Sequence, residues 1–326
     1  METSGYGRVV LFHNLLARNA SEQVLAAVRT RLVRTAGTLE EHGLGGEEAI
    51  GEKVQKGLAN RPDLVVVAGG DGTVGMVAAK MVRTGIPLAV IPTGTFNNFA
   101  RSLGMPSDPI AACEVIESGI VVPIDAAVAD EQHAFFEAAG VGVDAEMFPI
   151  GEEIKQGRIL SVFRAIRAAF VHRQSAVDLR FDRPLNEAYR MSYHGDTPLS
   201  RRRRRFRKSR RRIRVRCSFV VIANGPFYGS NLTVCPGAKM DDGLLTIAVY
   251  RDFSKLELAR HLWSISRGRY QRHPKMEMFD SSSLEVACRR PLSVHVDGNT
   301  IGTTPVRFDA MRGALTVLAP RSYLHK

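Results

Sequence analysis

A strand that runs straight into a glycine-rich turn and a helix is the feature that most constrains this chain. Leu64–Ala68 (LVVVA) is apolar and β-branched, and Gly69-Gly70-Asp71-Gly72-Thr73 follows it directly. Thr73–Arg83 then repeats apolar residues at helical spacing. A second apolar strand, Pro87–Ile91, leads into another glycine turn over Pro92–Asn98. Strand, helix and strand with short connections predict a right-handed βαβ unit in a parallel sheet.

The sequence pattern changes after Pro123. Before it, apolar strands alternate with amphipathic helices, the first of which we expect to be capped by Asn19 or Ser21. From about residue 124, short strands recur with glycine turns, interrupted by helical stretches near Gly151–Val171 and Ser254–Arg267. The predicted fold class is a Rossmann-like, three-layer α/β domain followed by a mainly antiparallel β-sandwich domain. We place the α/β domain at residues 1–124, rejoined by about 305–326, and the β-rich substrate domain at 125–304.

The net charge of +12 arises from one segment. Residues 201–216, RRRRRFRKSRRRIRVR, hold 12 basic and no acidic residues, so the rest of the chain is electrically neutral. This run lies in a basic insertion at 198–216 between two candidate strands. A solvated loop, docking to anionic lipid headgroups and nucleic-acid binding are the three interpretations. Nucleic acid is the least favoured partner, because Phe206 is the run's lone aromatic residue.

Terminal and cysteine patterns indicate a cytoplasmic protein. The start METSGYGRVVLFHN lacks the long apolar core of a signal peptide. No segment reaches the roughly 18 consecutive apolar residues of a transmembrane helix. The four cysteines form no Cys-x-x-Cys pair, which argues against a zinc site or a disulfide framework and suits a reducing compartment.

The Gly69–Thr73 turn has the chemistry of a phosphate-binding loop. Glycines allow close backbone approach, and the amides at a helix N-terminus attract anions. Asp71 would repel phosphate unless a divalent cation lay between them, so the pattern indicates Mg²⁺. The formal G-x-G-x-x-G match lacks the acid expected about 20 residues later, and no P-loop motif occurs. A turn that merely closes a βα corner is the alternative, which the second glycine turn disfavours.

These motifs together resemble a known family. GGDGT, PTGTFNNFARSLG, AAGVGVDAEMF, CPGAKMDDGLL and VHVDG occur in the order found in the catalytic domain of diacylglycerol, sphingosine and ceramide kinases and their bacterial relatives. NAD kinases share GGDGT, but the later blocks are similar to the lipid-kinase branch. The resemblance implies ATP- and Mg²⁺-dependent transfer of the γ-phosphoryl group to the hydroxyl of diacylglycerol or a similar lipid alcohol, in a cleft between two domains. A homodimer and peripheral association with membranes agree with it.

The resemblance also assigns roles to single residues. The ATP-binding positions would be Gly69, Gly70, Asp71, Gly72, Thr73, Val74, Gly75, Thr95, Asn98 and Asp144. A structural Mg²⁺ would be held by the Asp242 carboxylate and the main-chain carbonyls of Lys239 and Leu244. Asp297 would be the general base that accepts the proton of the alcohol. Taken without the family, Asp242 and Asp297 lie in sequences typical of ordinary turns.

Three positions depart from the family pattern. Gly75-Met76 stands where Asn-Glu is common, Asn98 replaces an aspartate and Asn299 replaces a glutamate. Asparagine can ligate a metal but carries no charge to balance it. The alternatives are therefore a kinase of another acceptor, such as a sphingoid base, a ceramide, NAD or a polyol, or a weakly active nucleotide- or lipid-sensing protein that binds membranes.

Overall fold

The apolar segment Leu64–Gly69 forms a fully buried strand in the computed structural model. The structure describes residues 5–45, 50–142, 174–192, 210–229, 232–251, 253–254, 256–257, 260–261, 264, 273 and 275–325. The chain divides into two units: unit 1 comprises residues 1–126 and 312–326, and unit 2 comprises residues 127–311. The assignment of nucleotide binding to one domain and substrate binding to the other stays a prediction.

Unit 1 alternates strands and helices along most of its length. Its elements are β1 Tyr6–His13, α1 Glu22–Thr35, β2 Ala36–Gly43, α2 Ile50–Ala59, β3 Leu64–Gly69, α3 Asp71–Met81, β4 Leu88–Pro92, α4 Asn98–Leu103, α5 Pro109–Ser118 and the first part of β5 Ile120–Ala129. The last part of β18 Val306–Ala319 and a 3₁₀ helix at Arg321–His325 complete it.

The strands of unit 1 form a parallel sheet in the order β2-β1-β3-β4-β18. The chain moves in one direction from β1 to β2 and in the other from β2 to β3. Right-handed crossovers therefore place α1 and α2 on opposite faces of the sheet. Helix α1 packs against α5, and α2 packs against α3, which gives three layers. The predicted parallel βαβ architecture is confirmed.

Helix α1 forms where its sequence predicts it, for two physical reasons. The Ser21 hydroxyl accepts a hydrogen bond from the Val24 amide at 3.2 Å and caps the helix. Leu25, Val28 and Leu32 lie on its buried face. Of the two predicted caps, Ser21 is correct and Asn19 is wrong, because Asn19 is engaged elsewhere, as described below.

The described residues of unit 2 lie mostly in strands. Its elements are the last part of β5, β6 His133–Phe135, β7 Ala138–Val141, β8 Ser175–Phe181, α6 Leu185–Ala188, β9 Tyr189–Ser192, β10 Arg212–Ala223, β11 Phe227–Tyr228, β12 Leu232–Thr233, β13 Leu245–Arg251, β14 Met276–Ser281, β15 Ser283–Cys288, β16 Ser293–Val296, β17 Asn299–Thr303 and the first part of β18. The described residues of the predicted helix Ser254–Arg267 include helical positions at 256–257, 260–261 and 264.

Strand β10 organises unit 2. It pairs antiparallel with β8 along its first half, and with β7 and β13 along its second half. The ladder continues from β7 to β16 and β17, from β8 to β15 and β18, and from β13 to β14 and β9. Apolar residues of these strands form a buried core that includes Phe135, Ile222, Phe279 and Phe308. An α/β unit followed by an antiparallel β unit is the predicted fold class.

Candidate active site

The two glycine turns of unit 1 lie against each other at the carboxyl edge of the sheet. They follow the neighbouring strands β3 and β4, and the Thr93 amide donates a hydrogen bond to the Gly69 carbonyl over 3.1 Å. A Cβ added at Gly94 would stand 2.4 Å from the Gly70 Cα. No side chain fits between these backbones, so glycine is required at the contact.

Asp71 ties the two turns together. It is the first residue of α3, and its Oδ1 accepts a hydrogen bond from the Phe99 amide at 3.0 Å. Phe99 lies in α4, immediately after the second turn. The carboxylate therefore has a structural function that the sequence did not reveal, in addition to any contact with a ligand.

Gly72 and Gly75 are glycines for which packing gives no reason. A Cβ added at either position would meet no described atom within 4 Å. Glycine inside a helix costs roughly 0.5–1 kcal/mol relative to alanine, so the fold alone would favour alanine. Access of a ligand to the backbone at the N-terminus of α3 is a physical reason that fits both positions.

Three asparagines that the sequence did not assign to the site hold this edge in place. The Asn14 side-chain amide donates to the Thr73 hydroxyl at 3.1 Å, and that of Asn19 donates to the Gly94 carbonyl at 2.7 Å. Asn97 has a left-handed φ of 51° and accepts a hydrogen bond from the Gly94 amide at 2.9 Å. Asparagine is enriched in this conformation, which is the signal that could have identified Asn97.

A small recess opens between the end of β1, the second turn and the start of α1. Thr93 lines it and is 2 % exposed, and its hydroxyl has no hydrogen-bond partner among the described residues. His13 also lines the recess, and its Nδ1 has no hydrogen-bond partner among the described residues. Its Nε2 lies 3.1 Å from a carboxylate oxygen of Glu41. Burial lowers the pKa of His13 more than Glu41 raises it. Buried polar atoms are normally hydrogen-bonded, so these two atoms are unusual.

The other predicted ATP-binding residues of unit 1 differ in exposure. Thr73 and Asn98 are buried, whereas Thr95 is exposed beside the second turn. Val74 is buried too, and its amide donates to the Gly70 carbonyl within the first turn of α3. Thr95 is thus accessible to a ligand, and Val74 supports the turn from the core. Their assignment to ATP stays a prediction.

Asp297 of unit 2 accepts hydrogen bonds from three consecutive backbone amides. Its Oδ2 accepts from Phe136 at 2.8 Å, and its Oδ1 accepts from Glu137 at 3.0 Å and from Ala138 at 3.1 Å. The residue follows β16 with a left-handed φ of 43°, which aspartate tolerates better than most residues. The carboxylate thereby fixes the segment that separates β6 from β7. The family resemblance predicted a general base at Asp297, but it did not predict that the carboxylate holds the Phe136–Ala138 segment in place.

Polar residues are buried around the same segment. Asn224 is fully buried, and its side-chain amide donates to the Phe136 carbonyl at 3.2 Å. Tyr228 packs on the ring of His295. Burial, together with the charges of Asp297 and Glu137, raises the pKa of Tyr228 well above its ordinary value. Tyr228 is therefore a neutral hydroxyl beside two carboxylates. Burial lowers the pKa of His295 to about 4, so that ring is neutral near pH 7.

The predicted structural metal site lies in an exposed turn. Oδ1 of Asp242 accepts a hydrogen bond from the Leu244 amide at 3.0 Å, which closes the turn locally. Lys239 is exposed just before it. Among the described residues, no group of three or more His, Cys, Asp or Glu side chains is arranged to hold a metal ion. The assignment of Mg²⁺ to Lys239, Asp242 and Leu244 stays a prediction.

Several predictions fall outside the described residues. Asp144 and the predicted helix Gly151–Val171 lie in 143–173, and residues 201–209 of the basic run lie in 193–209. In the part of the chain that the structure covers, no helix is long and apolar enough to cross a membrane.

Comparison with protein families gives a result that agrees with this geometry. The described residues form a parallel α/β unit with paired glycine turns at one sheet edge, followed by an antiparallel β unit. Residues 8–129 match the family described as "Diacylglycerol kinase catalytic domain", and residues 186–319 match "YegS C-terminal NAD kinase beta sandwich-like domain". The chain belongs to the diacylglycerol kinase catalytic domain family, with a YegS-type β-sandwich as its second domain.

Curated relatives are distant in sequence. A protein described as "Diacylglycerol kinase" from Staphylococcus epidermidis strain RP62A is 25% identical over 286 residues, which cover 86% of this chain and 82% of that protein. An uncharacterized protein of Synechocystis sp. strain PCC 6803 is 29% identical over 265 residues. The match covers 78% of this chain but 54% of the Synechocystis protein, so the chain spans about half the length of that relative.

Solved structures share the fold over nearly the whole chain. A putative diacylglycerol kinase from Bacillus anthracis strain Sterne is 23% identical with a TM-score of 0.75, and the match covers 99% of this chain and 98% of that one. A diacylglycerol kinase from the same strain is 20% identical with a TM-score of 0.71, covering 98% of both chains. At these identities the comparison establishes the fold.

Proposed function

We propose that this protein is an ATP- and Mg²⁺-dependent lipid kinase that transfers the γ-phosphoryl group of ATP to the hydroxyl of diacylglycerol or a similar lipid alcohol. Membership of a kinase family supports a phosphotransferase, and the names of the Staphylococcus relatives support diacylglycerol as the acceptor. The observation that carries the proposal is the contact of Gly70 with Gly94, which brings two ligand-accessible turns to one edge of the sheet.

The residues of unit 1 would bind and orient the nucleotide. The Gly69–Thr73 turn offers backbone amides at the start of α3, and Gly72 and Gly75 leave open space beside it. Thr95 is exposed at the second turn, where its hydroxyl can accept or donate a hydrogen bond. Phosphoryl transfer depends mainly on such positioning and on charge stabilisation.

In the proposed reaction, the hydroxyl oxygen of the acceptor forms a bond to the γ-phosphorus. The bond from that phosphorus to the β–γ bridging oxygen breaks, and ADP leaves with the electron pair. The hydroxyl proton passes to a carboxylate, for which Asp297 is our candidate. Its three amide partners hold the carboxylate in one orientation.

The proposed Mg²⁺ contacts use donors of suitable chemistry. Asp71, Asp242 and main-chain carbonyls supply oxygen atoms, which hard divalent cations prefer. Neutralisation of phosphate charge is the chemistry that bound Mg²⁺ supplies. Asp71 would serve the metal network at the glycine turns, while its hydrogen bond to Phe99 keeps both turns in register.

The replaced acidic positions favour a second candidate function. Met76 is 43% exposed on α3, one residue after the open Gly75, where the family commonly has a glutamate. Asn98 is buried and Asn299 is exposed. Fewer negative charges would weaken metal binding. A weakly active protein that senses nucleotide or lipid, or a kinase of a sphingoid base, ceramide, NAD or polyol, is therefore the alternative.

A lipid acceptor also bears on location. We propose a cytoplasmic protein that associates peripherally with membranes, where such an acceptor resides. A homodimer stays a prediction from the family resemblance.

The direct test is phosphorylation of an acceptor panel by the purified protein with γ-labelled ATP and Mg²⁺. The panel contains diacylglycerol in mixed micelles, sphingosine, ceramide, NAD and glycerol. We expect label in diacylglycerol or another lipid alcohol, and none without Mg²⁺. Label confined to NAD or glycerol would contradict the lipid-kinase proposal, and nucleotide binding without turnover on any acceptor would favour the sensing protein.

Asp71→Asn provides the matched variant. Its side-chain oxygen can still accept from the Phe99 amide, so the fold should survive while the negative charge is removed. We expect at least a 100-fold loss of turnover. The control is Asp63→Asn, because Asp63 accepts from the Arg8 amide at 2.8 Å before β3, at the opposite edge of the same sheet. Equal activity of the two variants would remove Asp71 from the proposed site.

A further inference from the structure

Strand β10 carries a row of arginines on an open face of unit 2. Arg212, Arg214 and Arg216 are exposed, and Val215 and Cys217 between and after them are buried. Alternate residues of a strand point to the same face. At about 3.3 Å per residue, the three guanidinium-bearing positions span roughly 13 Å. From Cys217 to Ala223 every residue is buried, so the open face belongs to the first half of the strand.

The neighbouring strands show which of these charges are balanced. Arg212 lies 3.3 Å from Asp178 on β8, Arg180 of β8 lies 3.7 Å from Glu285 on β15, and Arg307 lies 2.9 Å from Asp309 on β18. Neither Arg214 nor Arg216 forms a salt bridge with any described residue. In the cross-strand register, Arg216 stands opposite Ala176, which carries no charge. Arg214 stands opposite Asp178, the carboxylate that Arg212 contacts, so Arg216 is the arginine of the row with no described acid beside or opposite it.

The chain extends this face with further positive charge. Arg210 and Arg211 are exposed, and their carbonyls accept hydrogen bonds from Leu185 and Phe181. Residues 201–209, which directly precede them in the sequence, add seven more basic residues and no acidic residue. The cationic face is therefore continuous in sequence with the segment that supplies the net charge of the chain.

We propose that the face formed by Arg212, Arg214 and Arg216, together with the exposed Arg210 beside it, docks onto anionic lipid headgroups of a bilayer. Basic residues near an anionic surface contribute about 1 kcal/mol each, and arginine binds phosphate through a planar fork of donors. The choice of a bilayer rests on the proposed lipid acceptor. It also rests on the absence of aromatic side chains on this face in the described strands, because Phe181 and Phe308 are buried. Single-stranded nucleic acid is usually bound through exposed aromatic residues.

The test measures vesicle binding without nucleotide. Full-length protein is sedimented with vesicles of phosphatidylcholine alone, or with 30% phosphatidylglycerol, at about 0.1 M salt. We expect binding to the anionic vesicles only. Arg214→Gln/Arg216→Gln should weaken it by about 30-fold, since roughly 1 kcal/mol per residue converts at 1.4 kcal/mol per tenfold.

The matched control, Arg34→Gln/Arg83→Gln, removes the same formal charge from exposed positions of unit 1 and should weaken binding less than threefold. Equal weakening by both pairs would show attraction by net charge alone and overturn the assigned face. No binding to anionic vesicles, or tighter binding to a single-stranded oligonucleotide, would overturn membrane docking. Asp71→Asn should bind vesicles like the natural chain, so the result is independent of whether the kinase proposal holds.

Discussion

Replacing Asp297 by asparagine should destabilise unit 2 even before any chemistry is considered. The carboxylate accepts from three amides through two oxygens. Asparagine keeps one oxygen, which can still serve Glu137 and Ala138, but its NH₂ group would then face the Phe136 amide. The hydrogen bond from Phe136 is lost, and its N–H group then faces the N–H groups of the new side chain. The two bonds from Glu137 and Ala138 remain but are no longer strengthened by a charge on the acceptor. We estimate a loss of about 2–4 kcal/mol.

Urea unfolding followed by circular dichroism measures this loss. For a unit of this size, 1 kcal/mol corresponds to roughly 2–4 °C in Tm, so a thermal scan should also show a clear decrease. Asn299→Ala, in the same hairpin but exposed, should stay within about 0.5 kcal/mol of the natural chain. If Asp297→Asn unfolds at the same urea concentration as the natural chain, the bracing function inferred from the three amides is refuted.

The same reasoning changes how a loss of activity in Asp297→Asn must be interpreted. A displaced Phe136–Ala138 segment could slow turnover without any loss of a base. Asn224→Ala loosens the same segment by removing the hydrogen bond to the Phe136 carbonyl and leaves the carboxylate intact. Activity at 10 °C, well below both unfolding transitions, then separates the two functions. A base predicts that Asp297→Asn is at least 100-fold slower than Asn224→Ala, whereas positioning alone predicts similar rates.

Three further predictions concern glycines and a buried histidine. Gly94→Ala places a methyl group 2.4 Å from the Gly70 Cα and should cost about 1–3 kcal/mol in urea unfolding; an unchanged midpoint would contradict the contact. Gly75→Ala meets no described atom and should stabilise α3 by about 0.5–1 kcal/mol, while calorimetry should show weaker ATP binding. Stability should fall from pH 7 to pH 5, because His295, with a pKa of about 4, stays neutral in the fold while the unfolded ring, near 6.5, takes up a proton. His295→Gln should reduce that fall by about 2 kcal/mol, measured by unfolding at both pH values; an unchanged fall would show that His295 does not cause it.

Local sequence signals predicted the elements that carry their own pattern. The strand Leu64–Gly69 and the helix Asp71–Met81 are recognisable from apolar runs, β-branched residues and helical spacing. Strand β2, Ala36–Gly43, was missed because it forms the edge of the sheet and is largely polar, AGTLEEHG. Its membership of the sheet comes from pairing with β1 and not from its own composition.

The hydrogen bonds that hold the candidate site in place were not predictable from the sequence, for a different reason. Asn19 bonds to Gly94, 75 residues away, and Asp297 bonds to Phe136, 161 residues away. Such pairings depend on the finished fold, and local spacing carries no information about them. The single-residue signals were ambiguous as well, because asparagine after a turn is a good helix cap and Asp-Gly is a common turn. Of the two predicted caps, Asn19 is therefore wrong and Ser21 is correct.

The passage of β18 from unit 2 back into unit 1 has a consequence for synthesis on the ribosome. Unit 1 needs residues 312–326 to complete its sheet, because Val317 of β18 pairs with Leu88 of β4. Until those last residues emerge, the nascent chain presents β4, a fully buried strand in the finished protein, as an open apolar edge. A stop codon before residue 312 would thus damage the N-terminal unit, although the lost residues lie at the far end of the chain. Chaperone demand should be greatest in that interval, after unit 2 has been made and before residues 312–326 emerge.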